Sequence, residues 1–303
     1  MKIATTTADF GTWCQTDEEK IRELHAAGFK YIDLSMYELF PDSPYMQDNW
    51  AEEVQKLKDL VDELGMRFVQ AHSPGGNPLS DDEEYFDFLL KSTIRSIEVC
   101  GTLWIKNTIV HSGWASGITK EEWFEKNKMF YAKLFPTMER YGVNVLCENN
   151  VSAHFPNMYY ICNGKEMREF IDYVNHPQFH GCWDTGHGNC EGGQYDEIMA
   201  LGEHLYAIHY HDNRGDDAHV APFLGTLNHD EVINALIDVD YKGYFTLESN
   251  GSLRTFDDWT GARRPFAKDN RLANPQLFMR RHIEKMIYET AEWFLKSYEI
   301  FEE

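Results

Sequence analysis

Apolar and polar positions along this chain switch repeatedly between two periods. Short runs rich in β-branched and aromatic residues fall at 2–7 (KIATTT), 31–36 (YIDLSM), 67–73 (RFVQAHS), 105–112 (IKNTIVHS), 144–150 (NVLCENN), 179–187 (FHGCWDTGH), 205–213 (LYAIHYHDN) and 243–251 (GYFTLESNG). Such runs predict strands. Between them the apolar residues recur at i, i+3 and i+4. In 50–64, Val54, Leu57, Leu60, Val61 and Leu64 form one stripe that stops at Gly65. In 82–100, Phe86, Leu89, Leu90, Ile94, Ile97 and Cys100 form another that stops at Gly101. Both predict helices, as do 120–141, 229–239 and 277–296, and Asp17, Asp81, Thr119 and Asn228 stand where N-caps belong.

Eight strand-helix units of roughly 25–40 residues each predict an α/β fold, a (β/α)8 TIM barrel forming one domain over 1–303. A doubly wound open sheet is the alternative. It would place a Gly-rich phosphate turn after the first strand, and ATTTADFGTW is not one. Three connections are too long for plain turns: 8–16, 37–49 and 252–276, after strands 1, 2 and 8. In a barrel all three rise from the C-terminal face, where such folds place their chemistry. The last carries Arg254, Arg263, Arg264, Lys268 and Arg271 against Asp257, Asp258 and Asp269. That locally basic stretch reads either as a solvated loop or subunit contact, or as a substrate lid.

Composition narrows the partners. The formal charge of −22 repels phosphate backbones, so no nucleic acid is expected as a partner. Aromatic residues make up 14% of the chain, more than a core requires, and predict a ring-lined pocket or an interface; a homo-oligomer stays open. The 6 cysteines include no C-x-x-C pair, the N-terminus has no apolar leader, and no stretch is long enough to span a bilayer. A cytoplasmic protein without membrane contact is expected.

The chemistry lies in where His, Asp and Glu fall. His72 and His111 end the third and fourth strands, Glu148 the fifth, Asp184 with His187 the sixth, His209 and His211 the seventh, and Glu248 the eighth. In a barrel these ends converge on one rim. Carboxylates and imidazoles gathered there are costly to bury singly, and a divalent cation offsets that cost. A lone strand-end His is more often a satisfied polar residue; the joint placement favours a metal. His209 and His211 point the same way, since they lie two apart, so His211 is expected to reach the metal and His209 to support it from below. Three carboxylates and one imidazole suit Mn²⁺, Mg²⁺ or Co²⁺, with Zn²⁺ also admissible.

The combination of CENN, WDTGH, HYHDNRGDDAH and TLESN resembles the xylose isomerase-like TIM-barrel superfamily of sugar (phosphate) isomerases and epimerases, which also contains endonuclease IV. The similarity runs over nearly the whole chain. In the ketose 3-epimerase branch one metal is held by Glu, Asp, His and Glu of four late strands, positions that match Glu148, Asp184, His211 and Glu248. The resemblance further implies that Glu148 and Glu248 exchange the substrate proton, and that His187 and Arg214 bind substrate oxygens. Endonuclease IV holds a zinc cluster through further ligands, matched here by His72, His111, His187 and the Asp217-x-His219 pair. That pair also recurs in sugar-active members, so His72, His111, Asp217 and His219 are expected around the substrate, with Trp114, Trp13, Tyr37 and Phe40 as apolar walls. One departure stands out: the 3-epimerase branch has a Glu six residues past its first ligand Glu, where this chain has His154.

The implied function is a divalent-metal-dependent isomerase or epimerase of a sugar, sugar phosphate or inositol-derived keto compound, working by proton transfer and a metal-bound enediolate. A keto-inositol dehydratase or an endonuclease IV-like phosphodiesterase on the same barrel, and a non-catalytic sugar-binding barrel, are the alternatives.

Overall fold

The computed structural model describes residues 1–254 and 274–303. Chain order runs β1 (Ile3–Thr6), α1 (Asp17–Ala27), β2 (Tyr31–Ser35), α2 (Trp50–Glu63), β3 (Arg67–His72), α3 (Glu83–Thr102) and β4 (Asn107–Ile109). It continues through α4 (Lys120–Ala132), α5 (Phe135–Tyr141), β5 (Asn144–Glu148), α6 (Gly164–Val174), β6 (Phe179–Asp184), α7 (Thr185–Glu191) and α8 (Tyr195–Leu201). Last come β7 (Leu205–His209), α9 (His229–Asp238), β8 (Phe245–Leu247) and α10 (Leu277–Ser297). The strands form one sheet in the order β7-β6-β5-β4-β3-β2-β1-β8, with every paired ladder parallel. A parallel bridge between Tyr210 and Leu247 joins its ends and closes the ring. The fold is the expected (β/α)8 barrel.

Several boundaries differ from the sequence pattern, each for a local reason. The segment 120–141 is two helices, because Pro136 cannot donate a backbone N–H inside a continuous helix and instead sits near the start of α5. Thr16 and Asp82, not Asp17 and Asp81, accept the capping hydrogen bonds of α1 and α3. Thr119 and Asn228 cap α4 and α9 as expected. The sixth strand stops at Asp184, whose carboxylate caps α7 by accepting from the His187 N–H at 2.6 Å. Of the basic stretch after β8, Arg263, Arg264, Lys268 and Arg271 lie outside the described residues.

Strand alternation builds the interior in layers. Ile109, Leu146, Cys182 and Ala207 form a small buried apolar cluster apart from the main core. Each stands two residues before a polar rim position: His111, Glu148, Asp184 and His209. The main core lies between the sheet and the helices and takes in Trp123, Tyr131, Phe170 and Trp183, all fully buried. All six cysteines are free thiols, and no helix among the described residues is long and apolar enough to cross a membrane.

Candidate active site at the C-terminal rim

The strand ends bring together most of the residues singled out above. Glu148 is the hub. Its Oε2 lies 2.8 Å from Nε2 of His111, and its Oε1 lies 2.5 Å from Nδ1 of His209. His111 in turn meets His72, Nε2 to Nε2, at 3.2 Å, and His72 Nδ1 lies 2.8 Å from the Ser73 carbonyl. On the other side, His209 Nδ1 is 3.4 Å from Glu248 Oε2, and its Nε2 is 3.3 Å from Asp33 Oδ2. Asp33 is fully buried and also accepts from the Gln70 amide at 2.7 Å. The ligand atoms of Glu148, Asp184, His209 and Glu248 lie within 4.8 Å of one another.

His211 lies against Asp184. Its Nε2 lies 3.0 Å from Asp184 Oδ1, and its ring stacks on His219 at 3.8 Å, while His209 sits between the two glutamates. Gly186 makes this approach available, because a Cβ there would overlap the His211 ring. His187 Nδ1–H donates to the Asn149 carbonyl at 2.7 Å and turns Nε2 toward Asp217 at 3.3 Å. His219 Nε2 is 3.2 Å from the same Asp217 oxygen. Both Asp217 and His219 adopt left-handed backbone angles, with φ of 52° and 47°. Such strain in non-glycine residues persists where surrounding structure enforces it, commonly at functional sites. Asp217 Oδ1 and His219 Nδ1 are buried without a well-formed hydrogen bond. A second group around Glu148 and His209 adds Cys182, and two more groups with ligand atoms within 4.8 Å follow: His72, His111 and Glu148, and His187, Asp217 and His219.

Electrostatics tie these groups into one network. Burial opposes ionisation of Glu148, but the charge of His209 and the hydrogen bonds from His111 and His209 outweigh it and hold the carboxyl well below its usual range. Burial likewise works against charge on Asp184, and neighbouring His187 and His211 overcome it, leaving a value of about 2. Burial, with His111 beside it, pushes His72 down to about 4. Burial works against charge on His219, but the Asp217 carboxylate 3.2 Å away and the Glu248 charge outweigh it and hold the imidazole at about 9. Asp217 is driven strongly downward against its burial by His187 and His219.

A cavity of about 1120 Å³ opens above this cluster. His72, His111, Trp114, Glu148, His187, Asp217, His219 and Glu248 line it, as do Trp13, Tyr37, Phe40 and His154. Tyr37 reaches the cluster edge-on, 5.3 Å from the His72 ring and 5.9 Å from that of His111. Arg214 is not brought in: it is exposed, outside the cavity lining, and its backbone N–H bonds the Asp216 carboxylate. Sequence reasoning missed Asp33 and Gln70 beneath the rim, and Asn149, whose side chain pairs with the Asp184 backbone in both directions at 2.7 and 2.9 Å. The signal available for Asp33 was a lone carboxylate in the apolar strand YIDLS.

Fold and strand-end chemistry define a class. The profile of the xylose isomerase-like TIM barrel family matches residues 21–270, and the chain belongs to that family. Its sequence is 23% identical over 209 residues to the uncharacterized protein MJ1311 of Methanocaldococcus jannaschii, covering 65% of this chain and 69% of that one. In fold it is similar to D-psicose 3-epimerase of Clostridium cellulolyticum H10, solved with D-tagatose, at a TM-score of 0.75 and 17% identity, covering 97% and 99% of the two chains. It is also similar to the IolI protein solved with a bound zinc atom, at a TM-score of 0.74 and 15% identity over 98% and 99%.

Proposed function

We propose that this chain is a divalent-metal-dependent isomerase or epimerase acting on a keto sugar or a related polyol. The observation that carries the reading is the cluster of Glu148, Asp184, His209 and Glu248 ligand atoms, of which Glu148 and Glu248 line the cavity. The donor set fits a cation: three buried or half-buried carboxylates converge there, with only imidazoles to balance them. Glu148, Asp184 and Glu248 would hold it with His209 or His211. When bound, such an ion supplies Lewis-acid polarisation of a substrate carbonyl.

The chain's own groups do the rest. Glu148 and Glu248 flank His209 from two sides and are the bases that take a proton from, and return one to, the carbon beside the carbonyl. His187, Asp217 and His219 hold substrate hydroxyls. Trp114 and Phe155, with ring centroids 4.7 Å apart, exclude water from one wall. The fold likeness to a sugar 3-epimerase and to the IolI protein supports this reading. The test is solvent deuterium uptake into a panel of free ketoses and inososes with Mn²⁺, Mg²⁺, Co²⁺ and Zn²⁺. Uptake next to the carbonyl is expected, and its absence throughout the panel would refute the proposal.

The two further ligand groups favour a second reading, a reaction that uses more than one cation, such as keto-inositol dehydration or phosphodiester hydrolysis. Elemental analysis separates the two: one bound ion per chain supports the first, and more than one supports the second.

A further inference from the structure

The cavity is larger than the proposed chemistry needs. Pockets for drug-sized ligands span about 300–1,000 Å³, and a free hexose is smaller than such ligands, yet this cavity measures about 1120 Å³. Its excess has a direction. Its lining extends from Glu148 and Glu248 through the connections after β1 and β2 to Glu53 and Leu57 of α2. Tyr37, in that lining, is edge-on to His72 and His111 and half exposed. Its seat there depends on Gly75, since any Cβ at that position would overlap the Tyr37 ring. The part of the lining on the β1 and β2 connections, the outer lobe, offers the ring of Phe40, which is 56% exposed, and that of Trp13, among acceptors such as Glu18 and Glu38. Aromatic faces beside hydroxyl-binding carboxylates suit the C–H face and hydroxyls of a sugar ring; a bare hydrocarbon would leave those carboxylates desolvated and unpaired.

Charge narrows the ligand further. Among the described lining residues eight carboxylates, of which burial disfavours charge on Asp9, face Lys20, Arg254 and the imidazoles of His187 and His219. Carboxylate neighbours hold those two imidazoles toward the charged form, and Lys20 is bonded to Asp17 at 2.9 Å. A phosphorylated sugar would meet that field as a like charge.

We infer that the substrate is a neutral, glycosidically extended keto sugar, with its reacting ring over Glu148 and Glu248 and a second sugar ring in the outer lobe against Phe40 and Trp13. This rests on the isomerase reading for the reacting ring, while the outer lobe stands on geometry alone. The test is titration calorimetry of the metal-loaded protein with D-fructose, D-fructose 6-phosphate, and the fructose-terminated disaccharides lactulose, maltulose and turanose. At least one disaccharide should bind about tenfold tighter than fructose, and the phosphate more weakly than fructose. Phe40→Ala, and Gln15→Trp, which narrows the outer lobe from an exposed position, should each bring the disaccharide-to-fructose ratio toward one, whereas Phe40→Trp should preserve it. Disaccharides no tighter than fructose, a ratio untouched by both narrowing and removal, or a tighter-binding phosphate would overturn the inference. Deuterium uptake tells the two proposals apart. A high ratio without uptake on any sugar would refute the isomerase reading alone, and uptake on fructose with a ratio of one would refute the outer lobe alone.

Discussion

The layer directly beneath the rim differs between the two sides of the barrel. Under His111, Glu148, Asp184 and His209 it is apolar, built from Ile109, Leu146, Cys182 and Ala207. Under His72 and Glu248 it is polar: Gln70 donates to Asp33 and accepts from Thr246 at 3.3 Å. The apolar side gives its rim carboxylates no hydrogen-bond partner in that layer, and they turn to the imidazoles of His111, His209 and His211 instead. The polar side reaches across instead, and Asp33 grips His209 from beneath. One half of the rim is therefore positioned by exclusion and the other by hydrogen bonds.

Five substitutions test that contrast. The largest effect belongs to the rim itself. Glu148→Gln and Glu248→Gln keep a coordinating oxygen but lose basicity, so each should cost at least about a hundredfold in turnover while cation content by elemental analysis stays substantial. Next, Asp33→Asn removes the anion beneath His209. Groups that orient a metal-binding imidazole are typically worth about 10–100-fold in affinity, so cation affinity should fall about tenfold; unchanged affinity would mean that Asp33 serves packing only. On the apolar side, Ile109→Val should cost about 0.5–1.5 kcal/mol in denaturant unfolding and leave cation affinity unchanged. The smallest effect is on pH dependence in the metal-stripped protein. His219 is held at about 9 in the folded chain against an ordinary 6.5. Its contribution to stability is therefore fully present below pH 6.5 and lost as pH rises through 9. His219→Asn should flatten part of that alkaline decline in thermal midpoint.

Much of this was legible from the sequence because barrel geometry converts strand ends into neighbours. His72, His111, Glu148, Asp184 and Glu248 needed only the strand pattern and alternation to be placed on one rim. The choice between His209 and His211 was not legible. Alternation puts both on the same face, and what separates them is Gly186 in the first turn of α7, which leaves room for His211 beside Asp184. Arg214 was misplaced because a loop of left-handed residues follows β7, carrying Asp217 and His219 into the cavity and Arg214 out of it. Asp33 was missed because its partner His209 lies 176 residues away, a contact that no local pattern announces.

The ring closure between β7 and β8 has a consequence for motion. Neighbouring β6 and β7 share four paired positions, whereas β7 and β8 meet at one bridge, held by the Tyr210 N–H to Thr246 at 2.8 Å and the Glu248 N–H to Tyr210 at 3.1 Å. A barrel breathes first where its ladder is thinnest. That seam runs between His209 and Glu248, so in amide-exchange terms the first opening of the fold would part the eighth strand's glutamate from the rest of the cluster.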